Sequence, residues 1–587
     1  MESKGKGPLK TLSSLLPYIL EYKWPLLAGF IFIFIQNFCL VKIPLYMKNI
    51  LDEIIQKNRL QIITGFMIRV FVFTIIVAAS LYLMRRIIIS VSRKIEYKMR
   101  KDIYNKLLSF DYPFFLKNET GDLSSRATND LNDVRILLGP AVMYIPNSIS
   151  RILIFFPVLI GLSGKLMLMI IPLLIFLVFI TFYLFPKLRP KYRRVQETTA
   201  LINSRVWQTV TGITTIKQNT LERTETERFF KLNRNYIKVQ MEMIKLRSLL
   251  RPLFLFIFSI LELIILLVGG KMVMANSFSL GQLLQFNIMI SALIFPILSL
   301  GWIMSMVQLG ISAMERINYI LDQPVGDKKN IRSDQEKFEG ISFSNLVFRY
   351  PGENHDVLKG VNFNVVPGEL VGITGGIGSG KTTLLEILSG LLDPPPGMVF
   401  LNGRDITEIN KDSIYSKFSV VSQDPFLFSG TIRHNIGIGM DKEKPDEIHN
   451  AAEIASLDNE INSFSEKYDQ IVGERGITLS GGQKQRMAIA RSICSPAPVL
   501  LFDDPLSSVD SKTETRILKN LQKLRKRPDG NFKTTFIVSH RISALKACDV
   551  IYVLKDGNIE ESGNHRELLD KRGSYYKLSK MQQMDIK

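Results

Sequence analysis

Two kinds of hydrophobic pattern divide this chain. In the first half apolar residues come in long runs such as WPLLAGFIFIFIQNFCLVKIPLYM, whereas in the second half short apolar runs alternate with turn signals and helical stretches. A helix needs about 20 largely apolar residues to cross the hydrocarbon core of a bilayer. Six segments approach or exceed that length, near residues 24–46, 62–84, 138–162, 166–187, 252–274 and 282–308. One such run could be a buried helix of a soluble core; six in one half predict a helical membrane domain. Ahead of them, LKTLSSLLPYILEYKW sets Leu9, Leu12, Leu16 and Leu20 at helical spacing, which predicts a helix lying in the membrane interface.

Between the halves, DQPVGDKKNIRSDQEKFEG is polar and without apolar period, so it reads as a linker. The expected organisation is a membrane domain over 1–320, a linker over 321–338 and a second domain over 339–587. In that second domain ISFSNLVFRY, ELVGITG, VLLFDD and TTFIVSH are candidate strands of buried type. Strands alternating with helical stretches predict a mostly parallel sheet covered by helices.

Charge orients the membrane half. The segments Arg85–Arg135 and Lys187–Arg251 are long and dense in Lys and Arg, while those near 47–61, 163–165 and 275–281 are short and poorer in cations. The positive-inside rule makes the long segments cytoplasmic, and six spans put both termini on the same side. Much of the net charge of +20 lies beside the spans, where it faces anionic lipid head groups. Membrane lipids, and no nucleic acid, are therefore the expected partners of that charge. Cys39, Cys494 and Cys548 are scattered and form neither a metal pattern nor a disulfide framework. No cleavable signal peptide is evident.

The chemistry begins at GGIGSGKTT, which comprises Gly375, Gly376, Ile377, Gly378, Ser379, Gly380, Lys381, Thr382 and Thr383. It follows the strand candidate ELVGI and opens the helical stretch TTLLEILSG, the context a phosphate-binding loop requires. Backbone N–H groups wrap the phosphates of ATP, and the helix start adds a favourable dipole. Lys381 is expected to reach the β and γ phosphates and the Thr382 hydroxyl to ligate Mg²⁺. Asp503, ending VLLFDD, is expected to hold the same cation.

A further string, LSGGQKQRMAIARS, runs from Leu479 to Ser492. With the phosphate loop and VLLFDD it resembles the ABC ATPase family, and six spans ahead of such a domain resemble an ABC exporter half-transporter. The resemblance covers nearly the whole chain. It implies a six-helix membrane domain of exporter type followed by an α/β P-loop ATPase domain with a helical subdomain. It also implies that two nucleotide domains close head to tail, so that Leu479, Ser480, Gly481, Gly482 and Gln483 act on ATP bound to a partner chain. Tyr350 in FRYPGE matches the aromatic that stacks on adenine. Gln423 in VVSQDPFLF matches the residue linking Mg²⁺ and the attacking water to the membrane domain. His540 matches the γ-phosphate contact, and Asp510 in LSSVD matches a loop that acts across the dimer.

One position departs from the pattern. Asp504 stands where the family usually has a glutamate that polarises water. Aspartate is one methylene shorter, and a misplacement near 1 Å costs on the order of a hundredfold in rate. The chain's own ATP site is therefore expected to be slow, whereas its signature string is intact. That combination resembles the asymmetric heterodimeric exporters and predicts pairing with an unlike half-transporter. The competing expectations are a homodimeric lipid flippase and an ATP-gated channel or sensor that does not transport.

The resemblance also implies that DYPFFLKNETGDLSSRATNDL and TVTGITTIKQNTLERTETERF are coupling loops that dock on nucleotide domains. ATP-driven alternating access would then export a drug, lipid or peptide of hydrophobic or amphipathic character. Arg151 and Glu262 fall deep in spans three and five, where a charge costs about 2.5–3.5 kcal/mol on insertion scales. Each is expected to face protein or a water-filled cavity, as substrate ligand or as ion-pair partner. Asn147, Gln285 and Asn287 are further cavity candidates, with helix–helix glue as the alternative.

Overall fold

The computed structural model describes residues 7–56, 60–324, 337–440, 442–473, 476, 478–524 and 533–584. Most of the expected linker, residues 325–336, lies outside them. The chain separates into two compact units, one of Met1–Ser109 with Asn118–Pro324 and one of Phe110–Lys117 with Val325–Lys587.

Among the described residues, six helices of the first unit are long and apolar enough to cross a membrane. They are α1 (Lys23–Ile55), α2 (Leu60–Leu108), α3 (Thr120–Leu162), α4 (Gly164–Thr211), α5 (Glu222–Met274) and α6 (Leu280–Leu321). Each contains one of the six predicted segments. At 1.5 Å per residue, the 53 residues of α5 extend far beyond a bilayer core of about 30 Å. The cation-rich segments are thus largely helical continuations of the spans, and short turns with one-turn helices such as Ile213–Gln218 join them. Apolar side chains such as Ile68 and Phe71 on α2 and Phe256 and Leu263 on α5 remain exposed, as a hydrocarbon surrounding permits.

The core of this unit gathers Phe155, Leu159, Leu166, Ile170, Leu261, Ile265, Phe286 and Ile290 from α3, α4, α5 and α6. Asp52 near the end of α1 accepts from the Gly281 N–H at 3.1 Å and the Ser279 hydroxyl at 3.0 Å. Ser279 and Gln282 form a capping box at the same point, so the backbone donors of Ser279, Gly281 and Gln282 at the α6 start each find a side-chain acceptor. Before α1, the chain forms two short helices, Pro8–Ser13 and Leu16–Glu21. Leu15 is buried there, while Leu16 and Leu20 face outward.

The second unit contains two main sheets. Strands β1 (Ile341–Phe348), β2 (Leu358–Val365), β4 (Val399–Leu401) and β5 (Arg404–Asp405) form an antiparallel sheet in the order β2-β1-β4-β5. The larger sheet is built from β3 (Leu370–Gly375), β6 (Phe418–Val421), β7 (Val499–Asp503), β8 (Thr534–Val538), β9 (Val550–Lys555) and β10 (Asn558–Gly563). Its order is β10-β9-β3-β8-β7-β6, parallel throughout except for the β9–β10 hairpin.

ISFSNLVFRY therefore does not join the parallel sheet. It alternates buried and exposed positions, which suits an antiparallel sheet with one face on the core. Helices α7 (Lys381–Leu388), α8 (Gly481–Cys494), α9 (Ser511–Leu524) and α10 (Ser574–Met584) cover the parallel sheet or extend from it. Shorter helices at Ile432–Gly437, Pro445–Ile454 and Asp458–Ser463 pack with α8 as a helical subdomain around Ile436, Ile448, Ile461 and Ile489.

Candidate active site

The carboxyl ends of β3, β8, β7 and β6 lie side by side, and each delivers a predicted site residue. Val538 of β8 is level with Ile373 of β3 on one side and Asp503 of β7 on the other, and Phe502 is level with Val421 of β6. The phosphate loop leaves β3 at Gly375, His540 follows β8 by two residues, and Gln423 follows β6 by two. The crevice outside the carboxyl ends of parallel strands is where open α/β sheets bind ligands.

In the loop, a Cβ on Gly375 would stand 2.2 Å from the Leu554 carbonyl oxygen, so only glycine fits against β9. A Cβ on Gly376 or Gly378 would meet nothing within 4 Å. The loop is thus packed on its sheet side and open on the other. The Ser379 hydroxyl is buried without a hydrogen-bond partner, and Lys381 Nζ turns back onto the carbonyls of Gly375 (3.1 Å) and Gly376 (2.8 Å). Burial holds the Lys381 ammonium below its ordinary range, against the opposing pull of Asp503 and Asp504. A desolvated cation and an orphan hydroxyl beside an open nest of amides suit a polyphosphate. Ile377 is fully exposed at the loop tip.

Thr382 Oγ1 donates to Asp503 Oδ2 at 3.0 Å. Burial pushes the Asp503 carboxyl above the usual range; the Thr382 bond opposes this and the neighbouring Asp504 adds to it. Among the described residues no group of three or more His, Cys, Asp or Glu side chains could form a protein-only metal cage. One hydroxyl and one carboxylate beside a phosphate cradle are the hard oxygen donors Mg²⁺ takes when phosphate completes its shell.

Asp504 adopts φ 43°, left-handed backbone that Asp tolerates better than most residues. Its N–H bonds the Val538 carbonyl at 2.9 Å, and its carboxylate accepts from the Ser539 hydroxyl at 3.4 Å. The Tyr350 hydroxyl lies 3.1 Å from both Thr383 Oγ1 and Glu386 Oε2, which ties its ring to α7 beside the loop. The Gln423 side chain is exposed, and the residue's main-chain carbonyl accepts from Gln485 Nε2 at 3.4 Å.

The signature string forms a separate feature. Ser480 and Gln483 make a reciprocal capping box at the start of α8. Leu479 packs against the core. Ser480, Gly481, Gly482, Arg486, Ser508 and Asp510 line a cleft of about 530 Å³ that none of the residues 375–383 line. The Asp510 carboxylate accepts from the N–H groups of Lys512 and Thr513, led by Thr513, and these bonds hold its pKa below the usual range.

Sequence reasoning missed two residues here. Buried Gln485 donates to Ser507 Oγ at 2.8 Å and accepts from the Ser508 N–H at 3.0 Å. Glu460 anchors Gln483 (3.0 Å) and Arg486 (2.8 Å). The only signal for Gln485 was its position inside the signature helix.

In the membrane unit Asn147 and Arg151 come together through Asn37, itself fully buried and absent from the sequence-based candidates. Arg151 Nε donates to Asn37 Oδ1 at 3.1 Å, while Asn37 Nδ2 donates to Asn147 Oδ1 at 2.9 Å and Ser150 Oγ at 2.6 Å. Glu262 is exposed on α5 and Asn287 half-buried on α6, and neither joins this cluster. Gln285 is buried, with its amide 3.8 Å from Met289 Sδ and its carbonyl unpartnered. The first candidate coupling segment, residues 111–131, is divided: residues 111–117 belong to the nucleotide unit, where Lys411 Nζ lies 3.1 Å from both Asp111 and Asp393, and residues 118–131 belong to the membrane unit.

Family models match both halves: the ABC transporter transmembrane region over residues 26–297 and the ABC transporter domain over 358–507. The chain is 31% identical over 573 residues to the Bacillus subtilis uncharacterized ABC transporter ATP-binding protein YknU, covering 97% of this chain and 96% of that protein. The chain belongs to the ABC transporter family. It is 32% identical to the multidrug resistance-like ATP-binding protein MdlA of Buchnera aphidicola subsp. Baizongia pistaciae, over 95% of this chain and 96% of that one. It is also 28% identical to the ATP-dependent lipid A-core flippase of Syntrophus aciditrophicus, over 91% and 88%. A solved bacterial Atm1-family ABC exporter with ATP bound shares the fold, with TM-score 0.75 and 23% identity over 97% of this chain and 99% of that one. This ABC transporter is a multi-pass membrane protein whose cytoplasmic ATPase domain hydrolyses ATP to drive transport.

Proposed function

We propose that this ABC transporter exports a hydrophobic or amphipathic compound as one half of a heterodimer in which its own ATP site is the weaker one. The observation that carries the pairing is the separation of the two half-sites. The cleft of Ser480, Gly481, Gly482 and Asp510 contains no phosphate-loop residue, so ATP held by this chain's Lys381 needs a second chain to supply a signature. The observation that favours an unlike partner is Asp504, whose short carboxylate sits in the position of the water-activating base beside an intact signature.

In this reading Gly375–Thr383 bind the triphosphate, Lys381 neutralises it, and Tyr350 supports the adenine. Thr382, Asp503 and Gln423 would hold Mg²⁺, which would supply charge neutralisation at the transferred phosphoryl group. Asp504 orients the attacking water, and His540 contacts the γ-phosphate. Asp504 reaches that water poorly, whereas the partner's ATP, completed by Ser480–Gly482, turns over at full rate. Closure of the nucleotide dimer moves the Phe110–Lys117 segment held by Lys411, and with it the spans.

Names of relatives, multidrug resistance-like proteins and a lipid flippase, support amphipathic export. The flippase relative also favours a second reading, a homodimer that moves lipid. Gentle extraction of the tagged chain, with native mass and identification of co-purifying chains, tests the pairing. A mixed pair with another half-transporter supports the heterodimer, and twice the chain's own mass overturns it. ATP-dependent uptake of fluorescent amphiphiles into inside-out vesicles tests export; absence of uptake beside active hydrolysis would sink it.

A further inference from the structure

The loop from Ser507 to Asp510 forms one wall of the signature cleft through Ser508, Val509 and Asp510, and it is pinned by side chains from two other parts of the nucleotide domain. Gln485 of α8 holds Ser507 Oγ and the Ser508 N–H. On the other side Arg541, the residue after His540, spreads its guanidinium over two loop carbonyls, with Nη2 on Ser507 O at 2.7 Å and Nη1 on Val509 O at 3.0 Å. Nη1 also meets Glu514 Oε2 at 2.7 Å, and that carboxylate is 1% exposed and further bonded by Ser543. A planar fork between a buried carboxylate and two carbonyls has its orientation fixed in a way a lysine could not reproduce.

The backbone that carries Arg541 is itself clamped. Gln582, from the C-terminal helix α10, accepts from the Ile542 N–H at 3.0 Å and donates through Nε2 to the His540 carbonyl. One amide side chain therefore holds the peptide groups on both sides of Arg541. The contact spans about forty residues of sequence and comes from the C-terminal helix.

We propose that Arg541 is a positioning residue that sets the wall of the signature cleft, and that Gln582 makes the C-terminal helix a control point for ATP turnover. This rests on the cleft serving the partner's ATP. Loss of either residue lets the Ser507–Asp510 wall move while leaving this chain's own phosphate loop intact, so it lowers kcat without weakening ATP uptake by the loop. Because both act through one hydrogen-bonded chain, their effects do not multiply.

The test uses the full transporter in its native pairing, with Arg541→Lys, which keeps a charge for Glu514 but loses the fork, and Gln582→Met, which keeps length but loses the amide. Each is expected to lower kcat about tenfold with KM for ATP within about twofold. The double variant should be no slower than the worse single, and hydrogen exchange at the Ser508 and Val509 amides should quicken. Unchanged kcat, or losses that multiply in the double variant, would overturn the proposal. Ser480→Arg, which fills the cleft, separates the two layers. If it leaves turnover intact while Arg541→Lys still quickens exchange, the loop is pinned as described but the cleft does not serve ATP.

Discussion

Thr382 and Asp503 touch across the mouth of the parallel sheet, hydroxyl to carboxylate at 3.0 Å, although 121 residues separate them in sequence. The contact joins the first turn of α7 to the end of β7 and brings two oxygen donors to one point beside the phosphate loop. Asp503→Asn should abolish Mg²⁺-dependent hydrolysis at this chain's own site, by more than about a hundredfold as read by nucleotide trapping resolved by chain, while leaving the fold intact and the partner-held site turning over. Titration with Mg²⁺ checks this.

The same carboxyl carries a pH dependence. Burial raises the Asp503 pKa, so its charged, metal-binding form is lost at a higher pH than for an ordinary aspartate. Protons and Mg²⁺ then compete as pH falls, and the Mg²⁺ concentration for half-maximal hydrolysis at this chain's own site should rise by up to about tenfold per pH unit below that pKa. In the absence of metal the sign for stability is opposite. Ionising a carboxyl whose folded pKa is raised costs stability, so this contribution is full below the unfolded pKa and lost as pH climbs through the folded value.

Two glycines of the loop should behave differently. At Gly375 a methyl group would collide with the Leu554 carbonyl, so Gly375→Ala should lower the Tm of the nucleotide domain as well as ATP binding. At Gly376 the methyl meets no protein atom, so Gly376→Ala should keep the wild-type Tm yet bind ATP about tenfold or more weakly, because the methyl intrudes where phosphate must approach. Thermal melts with and without ATP distinguish the two.

Asp504→Glu should quicken hydrolysis at this chain's own site by about ten- to a hundredfold, since the added methylene restores reach toward the water. Vanadate-dependent nucleotide trapping resolved by chain reads that site separately. An unchanged rate there would mean that Asp504 is not what limits it.

Lys411 offers a way to separate hydrolysis from transport. It is half-buried between the more exposed carboxylates of Asp111, in the Phe110–Lys117 segment, and Asp393. Exposed ion pairs contribute at most about 1 kcal/mol, so neutralisation should do little, but Lys411→Glu sets three carboxylates together and should expel the segment. The expected result is ATP turnover within a few-fold of wild type and vesicle uptake reduced about tenfold. Uptake and hydrolysis falling in parallel would argue against a coupling role.

What the sequence made legible was local. The phosphate loop, the signature string and VLLFDD carry their chemistry in consecutive residues, and six apolar runs mark six helices without any tertiary information. β1 was grouped with the buried-type strands although Ser342, Ser344 and Asn345 interrupt its apolar residues, the alternation of a strand with one face on the core. The helical continuation of the spans was hidden by charge, since cytoplasmic helices need no apolar run. Gln485, Arg541 and Glu460 were invisible because their partners lie 22 to 34 residues away. Asn37, next to Gln36 in an apolar span, was not singled out because its partner Arg151 lies 114 residues later.

The central claim is that this chain's signature completes the productive ATP site while its own phosphate loop serves the weaker one. The most direct test compares Lys381→Ala with Ser480→Arg in the purified native transporter. Ser480→Arg should reduce ATP turnover to about 1% or less, whereas Lys381→Ala should retain a substantial share, on the order of half. Equal abolition by both variants would contradict it, because it would mean that the two sites are equivalent and that this chain's own loop is as necessary as its signature.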